Sequence, residues 1–223
     1  DLEALIQSGA CNLVEPEYAD WPLRRPARIA RAGFEEIVAA PIMRVMVPSV
    51  VSGRDVLSDL GEPVLFASNH TSHLDTAAII SAMPRRVRSR LTVAAAADYW
   101  FAGGRLAAWS GALMFNAFPF SRGGNIRPSL ERCGVLLDRG WSVLVYPEGT
   151  RSTTGQIGEF KSGVGLLAVE LHVPVVPIRV NGLDRVLPKG NKLPRRSHVD
   201  VTFGEPMRFT LNTPYADAMC AIH

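Results

Sequence analysis

Short apolar runs that alternate with helical segments limit most strongly what this chain can fold into. Five runs predict strands, at residues 63–68, 91–94, 143–146, 175–180 and 199–203. Most of them are apolar at nearly every position, which is typical of strands in a sheet covered on both faces. Between them, residues 75–83, 128–138 and 163–171 carry apolar side chains at helical spacing. This alternation predicts an α/β fold with a mixed, largely parallel sheet covered by helices.

The first 48 residues depart from this pattern. The segment from residue 1 to about residue 25 is punctuated by Pro16, Pro22 and Pro26, so we expect an arm or linker there. Residues 27–46 carry apolar side chains at helical spacing with charged residues between them, which predicts an amphipathic helix. Such a helix can lie in a membrane interface or pack on its own domain, and the pattern leaves both open. We therefore divide the 223 residues into an N-terminal arm and helix, residues 1–48, and one domain, residues 49–223.

Composition excludes some classes of protein. The net charge is +3 and the sequence lacks the alternation of basic and aromatic residues that RNA-binding modules use, so we expect no nucleic-acid partner. Three scattered cysteines without C-x-x-C spacing indicate a reduced, cytosol-facing protein and no zinc site. The sequence contains no run of 18 uncharged apolar residues, so no transmembrane helix is predicted.

Basic residues cluster in two places. Either cluster fits anionic lipid head groups or an ordinary solvated surface, and the sequence does not separate these readings. The clusters are Arg85, Arg86, Arg88 and Arg90, and Lys189, Lys192, Arg195 and Arg196.

One polar motif, S-N-H-T-S-H-L-D-T at residues 68–76, follows a predicted strand and opens a predicted helix. Sites in open α/β sheets form at such strand ends. The five-residue step from His70 to Asp75 lets the carboxylate hold one ring nitrogen while the other faces a hydroxyl group. The acceptor hydroxyl itself would then be the nucleophile, because the sequence contains no G-x-S-x-G. Two other readings stay open: a helix cap, or a metal site that adds His73.

Three further motifs favour anions. In V-Y-P-E-G-T-R-S, residues 145–152, Gly149 permits close backbone approach and Arg151 can bind a phosphate through two hydrogen bonds. F-P-F-S-R ends at Arg122, and F-K-S-G places Lys161 beside a predicted helix N-terminus. Each motif alone also fits a structural role, such as a pair between Glu148 and Arg151.

In this order, the motifs resemble those of the glycerophospholipid acyltransferases, the family of 1-acylglycerol-3-phosphate acyltransferase. The family's N-H-x-x-x-x-D appears as Asn69, His70 and Asp75. Its F-P-E-G-T-R-S appears at residues 146–152, with Tyr146 in place of Phe. F-K-x-G and a strand like V-P-V-V-P-I follow at residues 160–163 and 173–178.

The family's second block, G-x-x-F-I-x-R, is the weak match. Arg122 aligns, but Asn116, Pro119 and Phe120 stand where Gly, Phe and Ile are expected. This departure concerns the acceptor pocket, and therefore the identity of the acceptor.

The resemblance implies an O-acyltransferase that works by direct transfer. His70 would remove a proton from the acceptor hydroxyl, Asp75 would orient it, and the oxygen would attack the thioester of acyl-CoA or acyl carrier protein. The implied substrate-binding residues are Arg122 and Arg151 for the phosphate, Glu148 and Gly149 for the glycerol part, Lys161 for added positive potential, and Thr150. Bracing of the arginine is the other role implied for Glu148. No metal and no organic cofactor beyond the thioester donor is implied.

The implied acceptor is 1-acylglycerol 3-phosphate, which would give phosphatidate for phospholipid synthesis. Another acceptor such as glycerol 3-phosphate or a lysophospholipid, a hydrolase that uses His70, and a membrane-binding domain without catalysis remain as alternatives. Lipid substrates imply a peripheral protein on the cytoplasmic face of a membrane. The candidate membrane contacts are residues 27–46 and 99–120, and the candidates for lining an acyl tunnel or a plain core are Leu106, Trp109, Leu113 and Phe115. The oligomeric state is not predicted.

Overall fold

A computed structural model describes residues 20–96, 105–121, 127–152, 154–187 and 195–223, with side chains from residue 109 onward in the helix that begins at residue 105. Within these residues seven strands form one sheet, in the order β1-β7-β6-β2-β5-β3-β4. Every neighbouring pair is parallel except β6 and β7, which run antiparallel. The strands are β1 Ser49–Ser52, β2 Leu65–Ser68, β3 Leu91–Ala96, β4 Ala117–Phe120, β5 Ser142–Val145, β6 Val175–Asn181 and β7 Val199–Phe203. The predicted mixed, largely parallel sheet is confirmed.

The two edge strands, β1 and β4, are the ones that the sequence pattern did not predict. β1 begins and ends with serine and is largely exposed. β4 contains Pro119, which a strand tolerates at a sheet edge because one side of its backbone needs no partner. Neither strand therefore has the continuous apolar pattern of the central ones.

Helices cover both faces of the sheet. They are α1 Arg25–Phe34, α2 Ala40–Met46, α3 Asp75–Ala82, α4 Arg85–Arg88, α5 Arg105–Phe115, α6 Arg127–Asp138, α7 Gly163–Glu170, α8 Leu183–Val186 and α9 Tyr215–Ile222. On the central strand β2, Phe66 points to a core that it shares with Ile79 of α3. Its neighbour Leu65 points to a second core with Leu136 of α6 and Leu167 of α7. The alternation of the strand thus supplies two separate apolar layers, as expected for a sheet covered on both sides.

Residues 25–46 form one helical run, in which a π-helical turn, Glu35–Ala39, joins α1 to α2. This confirms the helix predicted over residues 27–46. A set of large apolar side chains on this run is exposed: Ile29, Ile37, Val38, Ile42 and Val45. Among the described residues, no helix combines the length and the apolar character needed to cross a bilayer.

Arg31 anchors this helical run to the body of the protein. Its Nε donates to the carbonyl of Leu113 at 2.8 Å, and its Nη2 donates to the carbonyl of Ala112 at 3.1 Å. The same Nη2 also reaches the Pro22 carbonyl at 3.1 Å and the Asn116 side chain at 3.3 Å. Burial lowers the pKa of Arg31 to about 10. The C-terminal carbonyls of α5 thus receive the donors that they lack within the helix.

Part of the first basic cluster stabilises the fold. Arg86 donates to the carbonyls of Leu57 and Ser58, and Arg88 pairs with Glu35 and Glu36 of the N-terminal helical run. These contacts favour the structural reading for both arginines. Of the second cluster, Lys189 and Lys192 lie outside the described residues.

Candidate active site

The site begins where β2 ends, in the middle of the sheet. Asn69 fixes this turn to the neighbouring strand β6, because its side chain donates to the carbonyl of Val180 at 2.8 Å and accepts from the Val180 N–H at 2.7 Å. The next residue, His70, is therefore held at the carboxyl end of a central strand. This is where sites form in parallel α/β sheets.

Asp75 holds the His70 ring. Its Oδ2 lies 2.8 Å from Nδ1 of His70 and also accepts the backbone N–H groups of Thr71, at 2.6 Å, and Ser72, at 2.9 Å. An ionised carboxylate only accepts hydrogen bonds, so Nδ1 is the donor in this bond, and in the neutral imidazole Nε2 keeps a lone pair. The Asp75 side chain is 0% exposed and that of His70 is 22% exposed, so the ring alone reaches solvent. Because these bonds turn the carboxylate toward the imidazole, the helix-cap reading of the pair does not hold.

Tyr146, at the position where the family pattern has Phe, packs on the His70 ring. The two rings stack with centroids 4.2 Å apart and an interplanar angle of 24°. The additional hydroxyl group is satisfied by Thr76, whose Oγ1 lies 2.7 Å away, and burial raises the pKa of Tyr146. The substitution thus keeps the aromatic contact and provides a partner for its polar atom.

The turn after β5 is bonded to the backbone of His70. Glu148 is buried, and its Oε1 accepts the His70 N–H at 2.7 Å while its Oε2 accepts the Gly158 N–H at 3.1 Å. On the other side of the same residue, the Ser152 N–H donates to the His70 carbonyl at 2.7 Å. The two strongest sequence motifs are thus joined at the main-chain N–H and carbonyl of His70.

A cavity of about 440 Å³ opens beside His70. Some of its walls are polar or basic, formed by His70, His73, Thr150, Arg151 and Lys161. Most of the other lining residues are apolar and come from several strands and helices, among them Val93, Phe115, Val145, Val164 and Leu167. A ligand with a charged head and a hydrocarbon chain would match both kinds of wall.

Gly149 shapes the basic side of the cavity. Its φ of 67° is left-handed, and a Cβ there would lie 3.0 Å from the Lys161 side chain. Partial burial, and then the positive charge of Arg151, lower the pKa of His73 below its ordinary value. Across the described ranges, no three His, Cys, Asp or Glu side chains are grouped to hold a metal ion.

The cavity brings together most of the predicted site residues. Those that line it are His70, Gly149, Thr150, Arg151 and Lys161, whereas Asp75 lies behind His70. Glu148 is not among the lining residues. Arg122 lies outside the described residues, so its place in the site stays a prediction.

The residues of α5 that were predicted to line an acyl tunnel lie on different faces of the helix. Phe115 lines the cavity, as does Gly111 one turn earlier, which the sequence did not single out. Trp109 and Leu113 are 57% and 37% exposed, so their assignment to a tunnel or core was wrong. The side chain of Leu106 is outside the described part of the helix.

Asn116 explains one departure from the family pattern. Its φ of 52° is left-handed, a conformation that glycine adopts freely and asparagine tolerates better than most residues. Its side chain also donates to the carbonyl of Leu91 at 2.8 Å. Asparagine thus preserves the backbone geometry at the position where the pattern has Gly.

These features together place a His–Asp pair, the kind of pair that general acid–base catalysts use, beside a cavity that is part basic and part apolar. The chain belongs to the acyltransferase family, whose model matches residues 48–181.

Several relatives are named as 1-acyl-sn-glycerol-3-phosphate acyltransferases. The chain is 44% identical over 63 residues to a chloroplastic 1-acyl-sn-glycerol-3-phosphate acyltransferase of Brassica napus, which covers 28% of this chain and 18% of the relative. It is 34% identical over 118 residues to the human 1-acyl-sn-glycerol-3-phosphate acyltransferase alpha, covering 52% and 40%. The chain thus spans less than half the length of these relatives.

A solved structure has the same fold. The 1-acyl-sn-glycerophosphate acyltransferase of Thermotoga maritima superposes with a TM-score of 0.66 at 20% identity, covering 90% of this chain and 80% of that one. At this identity, the likeness concerns the fold.

Proposed function

We propose that this protein transfers a fatty acyl group from acyl-CoA, or from acyl carrier protein, to the free hydroxyl of 1-acylglycerol 3-phosphate, which yields phosphatidate for phospholipid synthesis. The observation that carries the proposal is the His70–Asp75 pair, which opens on a cavity with both basic and apolar walls. The names of the relatives support this choice of acceptor.

In the proposed mechanism His70 is the general base. Its Nε2 removes the proton from the acceptor hydroxyl as the oxygen attacks the thioester carbonyl. The tetrahedral intermediate collapses with cleavage of the carbon–sulfur bond, and the imidazolium returns its proton to the leaving thiolate. Asp75 stabilises the imidazolium between these two steps. No covalent acyl-enzyme is required.

Different parts of the cavity wall would bind different parts of the substrates. Arg151 and Lys161 would bind the acceptor phosphate, together with Arg122 from outside the described residues. Gly149 and Thr150 would contact the glycerol part. The apolar walls would take the hydrocarbon chain, because burial of methylene groups is favourable by about 0.8 kcal/mol each.

Thiol release from acyl-CoA, measured with and without 1-acylglycerol 3-phosphate, tests the proposal. We expect acceptor-dependent release that disappears in His70→Ala and persists in His198→Ala, a matched change at an exposed histidine. Equal release without acceptor would indicate a hydrolase instead. Activity with another lipid alone would keep the mechanism and overturn the acceptor.

Arg151→Ala tests separately whether Arg151 binds the phosphate group of the acceptor. If Arg151 binds this phosphate, the KM for 1-acylglycerol 3-phosphate rises, whereas an acceptor without a phosphate group is used equally well by both proteins. An unchanged KM for the phosphorylated acceptor would contradict this assignment.

We also propose that the protein binds peripherally to the cytoplasmic face of a membrane through α1, the π-helical turn and α2. Ile37 and Ile42 are 77% and 55% exposed, and exposed arginines such as Arg25 and Arg44 accompany the apolar side chains. This combination favours an interface with anionic lipid. Free Cys133 and Cys220 fit a reducing compartment.

Cosedimentation with vesicles of phosphatidylcholine and phosphatidylglycerol tests this surface. The double variant Ile37→Glu/Ile42→Glu should lose most of the bound fraction. Leu211→Glu, at a site that is 62% exposed on another part of the surface, should keep it. Equal binding by all three proteins would place the lipid contact elsewhere.

A further inference from the structure

We infer that Glu148 is a positioning residue that fixes the backbone of the catalytic His70 and does not contact the acceptor. The inference deepens the proposed function and rests on it, because it assigns a role within the same site. The resemblance had implied a different role for Glu148, contact with the glycerol part of the acceptor.

The carboxylate of Glu148 is already engaged by the protein. The residue is 6% exposed and is not among those that line the cavity. One oxygen accepts the His70 N–H at 2.7 Å, and the other accepts the Gly158 N–H at 3.1 Å. Hydrogen bonds to an ionised carboxylate are about twice as strong as neutral ones. Contact with the acceptor would require the protein to give up these bonds.

The bond from Glu148 is one of four contacts that immobilise the base. The His70 carbonyl accepts the Ser152 N–H at 2.7 Å, Asp75 holds Nδ1 at 2.8 Å, and Tyr146 stacks on the ring. Backbone and ring are thus fixed separately, with Glu148 and Ser152 acting on the backbone. Displacing a catalytic group by about 1 Å can cost about 10²-fold in rate, so loss of one of these contacts should slow the proton transfer.

A substitution at Gly158 gives a second way to disturb the hydrogen bonds of the Glu148 carboxylate. A Cβ at this position would lie 2.7 Å from Oε2 of Glu148, closer than the two atoms can pack. Gly158→Ala therefore pushes the carboxylate away while its charge remains. Glu148→Gln instead keeps the shape but replaces one acceptor oxygen with an NH₂ group, which then faces a backbone N–H donor.

Steady-state kinetics of Glu148→Gln and Gly158→Ala separate the two roles. If Glu148 positions His70, both variants lose about 10²-fold in kcat and keep the wild-type KM for 1-acylglycerol 3-phosphate. The double variant should be little worse than either single one, because both disturb the same bonds. Gly61→Ala is the matched control, since a Cβ there meets no heavy atom within 4 Å. Thermal unfolding establishes that each protein is folded at the assay temperature.

If Glu148 instead contacts the acceptor, the substitution should change KM and not kcat. In that case Glu148→Gln raises KM with kcat nearly intact, as Arg151→Ala is expected to do, and Gly158→Ala leaves both constants unchanged. That result would overturn the inference.

The amide proton of His70 gives a measurement that does not depend on turnover. A short bond to a carboxylate should place this resonance downfield in a ¹H–¹⁵N spectrum, and Glu148→Gln should move it upfield. The wild-type position in Glu148→Gln would refute the positioning role. If the unmutated protein shows no acceptor-dependent thiol release, the proposed function fails, and the amide shift still decides the role of Glu148.

Discussion

Asp75→Asn separates the charge of the orienting residue from its geometry. In the native site Oδ2 of Asp75 accepts from His70 Nδ1 and from the backbone N–H groups of Thr71 and Ser72. The two backbone donors require an acceptor at that point, so the amide oxygen of the variant should take the place of Oδ2. The Thr71 hydroxyl, 3.3 Å from Oδ1, can rotate to accept from the new NH₂ group. His70 then keeps its tautomer and its orientation, and only the negative charge is lost.

The expected loss follows from the 2.8 Å separation of the two side chains. At an effective dielectric constant of about 20, a full charge pair at this distance attracts by about 6 kcal/mol. With about half of the positive charge developed on the ring in the transition state, the lost stabilisation is about 3 kcal/mol, or roughly 10²-fold in kcat. Asp75→Ala also frees the ring and leaves two buried N–H groups without an acceptor, so its loss should approach the roughly 10⁴-fold that a general base can contribute.

Acceptor-dependent thiol release at saturating substrates measures these kcat values, and thermal unfolding establishes that the variants are folded. We expect the order wild type, Asp75→Asn, Asp75→Ala, with His70→Ala at or below the last. If Asp75→Asn were as inactive as His70→Ala, the backbone donors would not be orienting the amide, and the argument from geometry would be wrong. Undiminished activity in Asp75→Asn would show that the reaction does not use the carboxylate charge.

Three further predictions concern other parts of the molecule. Gly111→Leu adds a side chain to the cavity wall, so kcat/KM for a long-chain acyl-CoA should fall at least about tenfold relative to a short-chain one, and an unchanged ratio would place the hydrocarbon chain elsewhere. Burial raises the pKa of the Cys133 thiol to about 12, so in the native protein a disulfide reagent at pH 8 should modify exposed Cys220 and leave Cys133 intact until denaturant is added, as mass mapping can show. Arg31→Ala strips donors from buried carbonyls and should cost about 3 kcal/mol, seen as a fall in Tm of about 6–12 °C. Exposed Arg24→Ala should leave Tm nearly unchanged, and equal effects of the two would refute the anchoring role.

The sequence predicts the central sheet and the His–Asp pair because both depend on local pattern. Strands buried on two faces are apolar along their length, and the five-residue step from His70 to Asp75 spans a single turn. The edge strands lack that pattern and were not predicted from the sequence. The role that we infer for Glu148 could not be predicted from the sequence either. Glu148 bonds to the backbone N–H of a residue 78 positions earlier, and a main-chain donor leaves no trace in residue type.

The lining of the cavity depends on the rotation of α5, which composition alone does not give. Gly111 and Phe115 are four residues apart and face the cavity, whereas Trp109 and Leu113, also four apart, face solvent. From the sequence, the large apolar residues of this segment were proposed as tunnel lining, and Gly111 was not singled out. Which face turns inward is decided by the contacts that α5 makes, among them the bonds from Arg31 to its last carbonyls.

The π-helical turn, Glu35–Ala39, determines how the side chains that follow it in the N-terminal helical run point relative to those that precede it. In a regular α-helix, Ile29 and Val45 would point about 160° apart, because each residue rotates the chain by about 100°. One extra residue accommodated in the turn takes up about 100° of rotation and brings the two side chains to within about 60° of each other. A regular α-helical turn built from the same residues would instead leave them about 160° apart, nearly on opposite sides of the helix, without replacing either one. The backbone geometry of this turn therefore decides which side chains share a face, just as residue identity decides whether that face is apolar.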